Sequence, residues 1–338
     1  VLAAATSLGL SLGSSASAVL PVLTGGPVLV GGTAHTDDGS YPVDETQVAD
    51  GMVDVDIYSA VFHGKIRVRV ILPVDWAAQP TRTWPTVYAL MGGTGPGESF
   101  AGGGFTSQTQ LAPFMSSRDV LTVIPDDDHA GWFANWVGPD FNRGNTKPQF
   151  ETFDAVELPQ ILTRDYRSSG RNVALGVSLG GNGGIYLAAA HPGLFQAVAS
   201  MSGLLNLKAA EAWPIVAATE VRVGDDPWGP FGDPTLNAAN WTAHNPSDIA
   251  AKLHGVKLFV SAGNGLPSSY DPTAPIDGDA LESVAGAEAH TFVAKATAAG
   301  DSVTTDFYGP GAHAWPFWDR EIPTAWKVLS QGLGLPAS

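Results

Sequence analysis

The sequence predicts an α/β protein of the α/β-hydrolase type: a mostly parallel central sheet with helices on both faces. Three observations carry this expectation. Short apolar runs alternate with helical patterns along most of the 338 residues, the order that parallel strands and their covering helices require. One junction, Gly176-Val177-Ser178-Leu179-Gly180, stands between a β-type run at 172–175 and a small-residue helical stretch that ends at His191-Pro192. That is the strand, turn and helix of a nucleophile elbow, with glycines where the backbone approaches its neighbours and a serine held on a strained turn. The composition permits the fold, since 44% hydrophobic residues can fill a large core and no repeat or disordered bias appears.

Residues 1–18 read as the remnant of a signal peptide, because 2–12 are apolar and small and Ser14-Ser15-Ala16-Ser17-Ala18 ends like a cleavage site. The rest, 19–338, reads as one domain. It begins with an extended arm, 19–50, rich in Gly, Thr and Asp. Strands are expected at 53–58 and 65–72, with His63-Gly64 as the turn between them, then at 85–91 and 120–124. Residues 150–164 carry helical spacing (Phe153, Val156, Ile161, Leu162) despite Pro159. The elbow strand and helix follow, then strands at 197–201, 256–262 and 303–308. Helices are expected at 279–299 and around 322–329. Residues 206–246, rich in Trp, Pro, Gly and Asp, interrupt the alternation and read as a lid-like, substrate-facing insertion.

A formal net charge of -16 argues against nucleic acid as a partner, because phosphate binding needs a basic face. Without cysteine there is no thiolate nucleophile, disulfide or cysteine-ligated zinc. Asp126-Asp127-Asp128 lacks the spacing of a calcium loop, so neither metal nor cofactor is expected. The Gly-rich segment 92–97 lacks the pattern of a nucleotide cradle.

A serine hydroxyl needs a base within hydrogen-bond reach, and the base needs an acid to orient it. Ser178 is the expected nucleophile. His313, in the Gly-rich loop after the last strand, is the expected base. His191 reads as a helix end, and His63, His129, His244, His254 and His290 as surface or turn residues. Pattern alone leaves the acid open among Asp271, Asp277, Asp279, Glu282 and Glu288. The oxyanion needs two N–H donors. Leu179 supplies one by its place after the nucleophile, and Gly93 or Thr94 in the loop after the 85–91 strand supplies the other.

With these pieces placed, the chain resembles the secreted mycolyltransferases of mycolic-acid-walled bacteria, the antigen 85 group, over most of 52–330. The likeness rests on motifs in one order: Glu151-Thr152-Phe153 with Glu157-Leu158-Pro159, the elbow, and Met201-Ser202-Gly203-Leu204-Leu205. It continues through Trp228-Gly229-Pro230, Gly263-Asn264-Gly265, Leu281-Glu282, and His313-Ala314-Trp315-Pro316-Phe317-Trp318. The resemblance implies that Glu282 is the acid and that Trp315, with Gly93, lies at the substrate. It implies transfer of a mycoloyl chain between trehalose esters, or onto cell-wall hydroxyls, through a Ser178 ester. It further implies a monomer at the cell envelope or secreted, with acylated trehalose or another lipid ester as substrate and host matrix protein as a further partner.

The chain departs from the family in three places. The family's Asp-Gly-Leu-Arg loop, whose charges help bind the sugar, is Gly92-Gly93-Thr94-Gly95 here. Leu179-Gly180-Gly181 follows the nucleophile where Met-Ala-Ala is common. Residues 141–147 stand where several members have a cysteine pair. An exported carboxylesterase of the same fold is therefore the alternative reading, and a wall-associated binding protein a third.

Overall fold

The protein is described by a computed structural model over residues 34–93, 104–126, 130–272 and 276–337. The leader at 1–18, the first part of the arm, Thr94, Asp127, Asp128 and His129 lie outside the described residues.

Among the described residues nine strands form one sheet: β1 (Tyr41–Ala49), β2 (Met52–Ser59), β3 (Gly64–Ile71), β4 (Trp84–Leu90), β5 (Leu121–Pro125), β6 (Ser168–Val177), β7 (Ala197–Met201), β8 (Lys257–Gly263) and β9 (Val303–Gly309). Their order is β1-β2-β3-β5-β4-β6-β7-β8-β9. Pairs from β1 to β5 are antiparallel and those from β5 to β9 parallel. The fold is thus the expected α/β-hydrolase type.

The two halves of the sheet show their surroundings in their sequences. In β2, Val53, Val55 and Ile57 point into the core at period two. Asp54 and Asp56, on the other face, stand opposite Arg69 and Arg67 of β3. The Arg69 guanidinium donates to both carboxylate oxygens of Asp54, at 2.6 and 2.9 Å. Strands β4, β5 and β7 are covered on both faces and read as continuous buried runs.

Helices cover both faces. Phe150, Phe153, Ile161, Ile185, Ala289 and Phe292 fill one core. They come from α3 (150–165), α4 (Leu179–Ala190) and α8 (Ile276–Ala298). The opposite core holds Phe105, Leu111, Met115, Ile322 and Trp326. These sit on α1 (Phe105–Gln108), α2 (Leu111–Ser116) and α9 (Trp315–Leu333). Residues 206–246 carry α5 (Ala212–Val223) and α6 (Ala238–Ala243), with α7 (Pro246–Ile249) beginning at the insertion's end. There Trp132, Phe231 and Trp241 build a third cluster with Leu179 of the elbow helix.

Several elements differ from the sequence expectation. Part of the arm, Tyr41–Ala49, is a strand whose side chains are mostly exposed on both faces, so no apolar alternation betrays it. Its polar residues Asp44, Glu45 and Gln47 suit an outer edge. In α3, Pro159 is accommodated just after a π-helical turn, Phe153–Glu157, where the Leu158 N–H reaches back to the Phe153 carbonyl. The last helix starts at Trp315, not near 322, because Pro316 suits a first turn and Pro323 is carried inside.

Candidate active site

Ser178 joins β6 to α4 with φ 54° and ψ -120°. A non-glycine residue there stores strain of about 1–3 kcal/mol that its surroundings must offset. Two backbone features hold it: the Ser178 N–H donates to the Met201 carbonyl at 3.0 Å, and the Ser178 carbonyl accepts from Gly181 and Asn182. The glycines on either side are steric requirements. A Cβ on Gly176 would stand 2.0 Å from the Gly180 carbonyl oxygen, and one on Gly180 2.1 Å from that of Leu90. Leu179 follows as the first residue of α4, so its N–H has no intrahelical acceptor.

His313 Nε2 lies 2.8 Å from Ser178 Oγ, and His313 Nδ1 lies 2.9 Å from Glu282 Oε2. The His313 N–H donates to the Gly278 carbonyl at 3.1 Å, tying the loop after β9 to α8. All three side chains are largely shielded from water. Glu282 Oε1 accepts from the Gly263 N–H at 2.5 Å, the Ser202 hydroxyl at 2.9 Å and the Tyr308 hydroxyl at 3.0 Å. Burial pushes the Glu282 carboxyl up. The His313 hydrogen bond and charge, with Gly263 and Ser202, outweigh it and hold the group below its ordinary value. Burial and the Glu282 charge push the Tyr308 hydroxyl far up, so it stays a donor. Ser202 accepts from Trp318 Nε1 at 3.0 Å, which directs its own proton to Glu282. The Trp318 ring stands edge-on to His313, with centroids 4.9 Å apart.

The other candidate acids fall elsewhere. Glu288, further along α8, accepts from the Asn206 N–H at 3.0 Å, away from His313. The His313 Nδ1 partner is Glu282, and the Asp277 side chain lies outside the described residues. Among the histidines, His191 caps α4 and meets Glu151 at 2.9 Å. The expectation for His244 needs correction. It is buried, stacked on Tyr186 at 4.5 Å and packed on Phe231, because the aromatic insertion folds over it. Burial pushes its pKa down.

Two cavities meet at His313. A cleft of about 600 Å³ runs between α5 and α8, walled by Ile215, Ala218, Leu281 and Val284, with Glu211 and Arg222 also lining it. A smaller cavity of about 320 Å³ holds Ser178, Leu179, Gly92 and Gly93 with Trp315 and Trp318. Trp315 lines that cavity and also packs edge-on against Phe105 and Trp318. Among the described residues no group of three His, Asp or Glu side chains could hold a metal.

Ser202, Tyr308 and Arg222 carry no role in the sequence reading. Ser202 lies inside the quoted Met201-Ser202-Gly203, but its φ of 50° and its two hydrogen bonds are visible only in three dimensions.

The pattern of the family described as Putative esterase matches residues 59–329. The diacylglycerol acyltransferase/mycolyltransferase Ag85B of Mycolicibacterium smegmatis is 31% identical over 244 residues, covering 68% of this chain and 73% of that protein. Ag85A of Mycobacterium ulcerans is 26% identical over 260 residues, covering 74% of each. Among solved structures, Mycobacterium tuberculosis MPT51 (FbpC1) superposes with a TM-score of 0.64 at 22% identity, over 80% of this chain and 95% of that one. An S-formylglutathione hydrolase from Agrobacterium tumefaciens gives 0.60 at 14% identity, over 87% and 99%.

Proposed function

We propose, from the premise that the chain belongs to the putative-esterase family and to its antigen 85 group of mycolyltransferases, that it is an exported serine acyltransferase. The observation that carries this reading is the unbroken path from Glu282 through His313 to Ser178, at 2.9 and 2.8 Å. Ser178 Oγ attacks the ester carbonyl while His313 Nε2 takes its proton. Glu282 holds the ring in the tautomer that leaves Nε2 free to accept. The tetrahedral oxyanion is met by the Leu179 N–H and a backbone donor of the 93–94 segment. Collapse breaks the ester bond, and His313 returns the proton to the departing alcohol. A second hydroxyl, deprotonated by His313, then attacks the acyl-enzyme. Collapse breaks the bond from Ser178 Oγ to the acyl carbon, and His313 returns the proton to Ser178 as the chain leaves on the new ester.

The clefts suit this order. The larger one, apolar and bounded by α5 of the insertion, suits a long acyl chain. The smaller one, beside Ser178 and Trp315, suits the alcohol that leaves or arrives. Trehalose esters or cell-wall hydroxyls are the substrates the family resemblance favours. Among the described residues no helix is long and apolar enough to cross a membrane.

Hydrolysis is the second reading, and one observation favours it. Gly92 and Gly93 at the nucleophile carry no side chain to hold an acceptor sugar. Intact-mass spectrometry after incubation with trehalose monomycolate, or with a short p-nitrophenyl ester, tests both. The expected result is an adduct on Ser178 that moves to added trehalose. An adduct that only water removes supports the esterase. Ser178→Ala is expected to abolish turnover, and wild-type rates in that variant would end the serine mechanism.

A further inference from the structure

One side chain of the insertion reaches the surroundings of the nucleophile without belonging to the Glu282–His313–Ser178 path. Arg222, in the last turn of α5, donates from Nη2 to the Gly93 carbonyl at 2.7 Å. Gly93 follows β4 and lies against the elbow. A Cβ there would stand 3.1 Å from Thr219 Cγ2 and 3.2 Å from Leu179 Cδ2, and one on Gly92 would stand 3.1 Å from Ser178 Cβ. Helix α5 therefore meets this backbone twice, by Thr219 packing and, one turn later, by the Arg222 hydrogen bond. Arg222 also lines both cavities.

We propose that Arg222 is a positioning residue for the oxyanion-binding backbone, through which the insertion holds the Gly92-Gly93 segment at the distance from Ser178 that turnover requires. The proposal rests on the serine acyl-transfer reading above. Anchoring the Gly93 carbonyl to Arg222 restrains the backbone of the Gly92-Gly93 segment beside Ser178. A charge-assisted bond does this more firmly than a neutral one. Gly92 and Gly93 contribute no side chains of their own to hold this backbone, so its position depends on neighbours such as Arg222, Thr219 and Leu179. A catalytic donor displaced by about 1 Å can lose about a hundredfold in rate, so the anchor has a measurable consequence. The guanidinium also places a positive charge near the site where the oxyanion develops, in a chain that is strongly acidic overall.

The test uses the full chain and p-nitrophenyl butyrate, an ester too short to depend on the large cleft. Arg222→Ala is expected to lower kcat about tenfold with KM changed less than about twofold, and to slow labelling of Ser178 by a fluorophosphonate to the same degree. Arg222→Lys, which keeps the charge and one donor, should recover part of the loss. Val221→Ala, on the exposed neighbouring position, should match the wild type. Thermal midpoints of all variants show that folding is intact. A kcat for Arg222→Ala within twofold of wild type overturns the proposal. So does a loss that appears only as a raised KM for long-chain esters, which would make Arg222 a substrate contact. If the wild type itself forms no Ser178 adduct, the serine reading fails at that arm and this proposal falls with it.

Discussion

Helix α8 carries two buried glutamates in opposite electrostatic states. Glu282 is fully buried and Glu288 is 3% exposed, so burial does not separate them. Their partners do. Glu282 has three donors on Oε1 and His313 on Oε2, and its carboxyl is held below the ordinary value. Glu288 has the Asn206 N–H on Oε2, no hydrogen-bond partner on Oε1 and the charge of Glu211 nearby. Burial, aided by that charge, pushes Glu288 up to about 7. The contrast shows what makes a buried carboxylate usable in catalysis: the removal of water must be matched by donors built into the fold.

The severest way to break the contrast is Glu282→Gln, which removes the charge and keeps the shape. An amide can present an N–H to His313 Nδ1, which leaves Nε2 protonated and unable to serve as base. A fall of about ten-thousandfold in kcat is expected, with an unchanged circular dichroism spectrum. Steady-state kinetics on p-nitrophenyl butyrate measures it. Retention of a tenth of the activity would show that Glu282 does not orient the base.

A milder break is Ser202→Ala, which removes one donor from Glu282 and the acceptor of Trp318. Loss of a hydrogen bond to a charged group predicts a drop of about tenfold in kcat/KM. A less well held carboxylate orients the His313 ring less firmly, so the loss should fall on kcat with KM little changed. A loss that appears only as a raised KM would show that Ser202 does not act through Glu282.

The smallest effect on turnover, and the one that sharpens the contrast, is Glu288→Gln. Because the folded pKa of Glu288 lies above its unfolded value, its ionisation opposes folding. Stability falls as pH rises from about 4.5 through about 7, by roughly 3 kcal/mol in full. Glu282 has the opposite sign, its contribution being present above the unfolded value and lost as pH falls through the lowered one. Thermal melts from pH 5 to 8 should show a shallower decline for Glu288→Gln than for wild type, with activity within twofold. Parallel curves would mean that Glu288 is not the group titrating.

Much of the frame is legible from local pattern. β2 to β9 follow runs of apolar residues, and the elbow follows from two glycines, Gly176 required by the tight return of the turn onto Gly180 and Gly180 by the close approach of the end of β4. β1 and the α1–α2 pair were not legible. β1 has no buried face, and helices of four and six residues are too short to establish a period. His244 misled because a polar residue in a Pro- and Gly-rich stretch reads as surface until Tyr186 and Phe231 close around it.

The sequence by itself determined that a serine stands on an elbow, that a histidine follows the last strand, and that several carboxylates lie between them. These facts are local, set by glycine sterics and by the period of strands and helices. Tertiary structure decided which carboxylate meets the histidine. Glu282 and Glu288 share one helix but point to different neighbours, because six residues at 100° each turn the second well away from the first. It also decided that Ser202, Tyr308 and Gly263, distant in sequence, converge on Glu282 Oε1, and that Arg222 reaches Gly93 across 129 residues of chain. Hydrogen bonds of that kind depend on where packing brings two backbones, and no periodicity along one chain encodes the meeting.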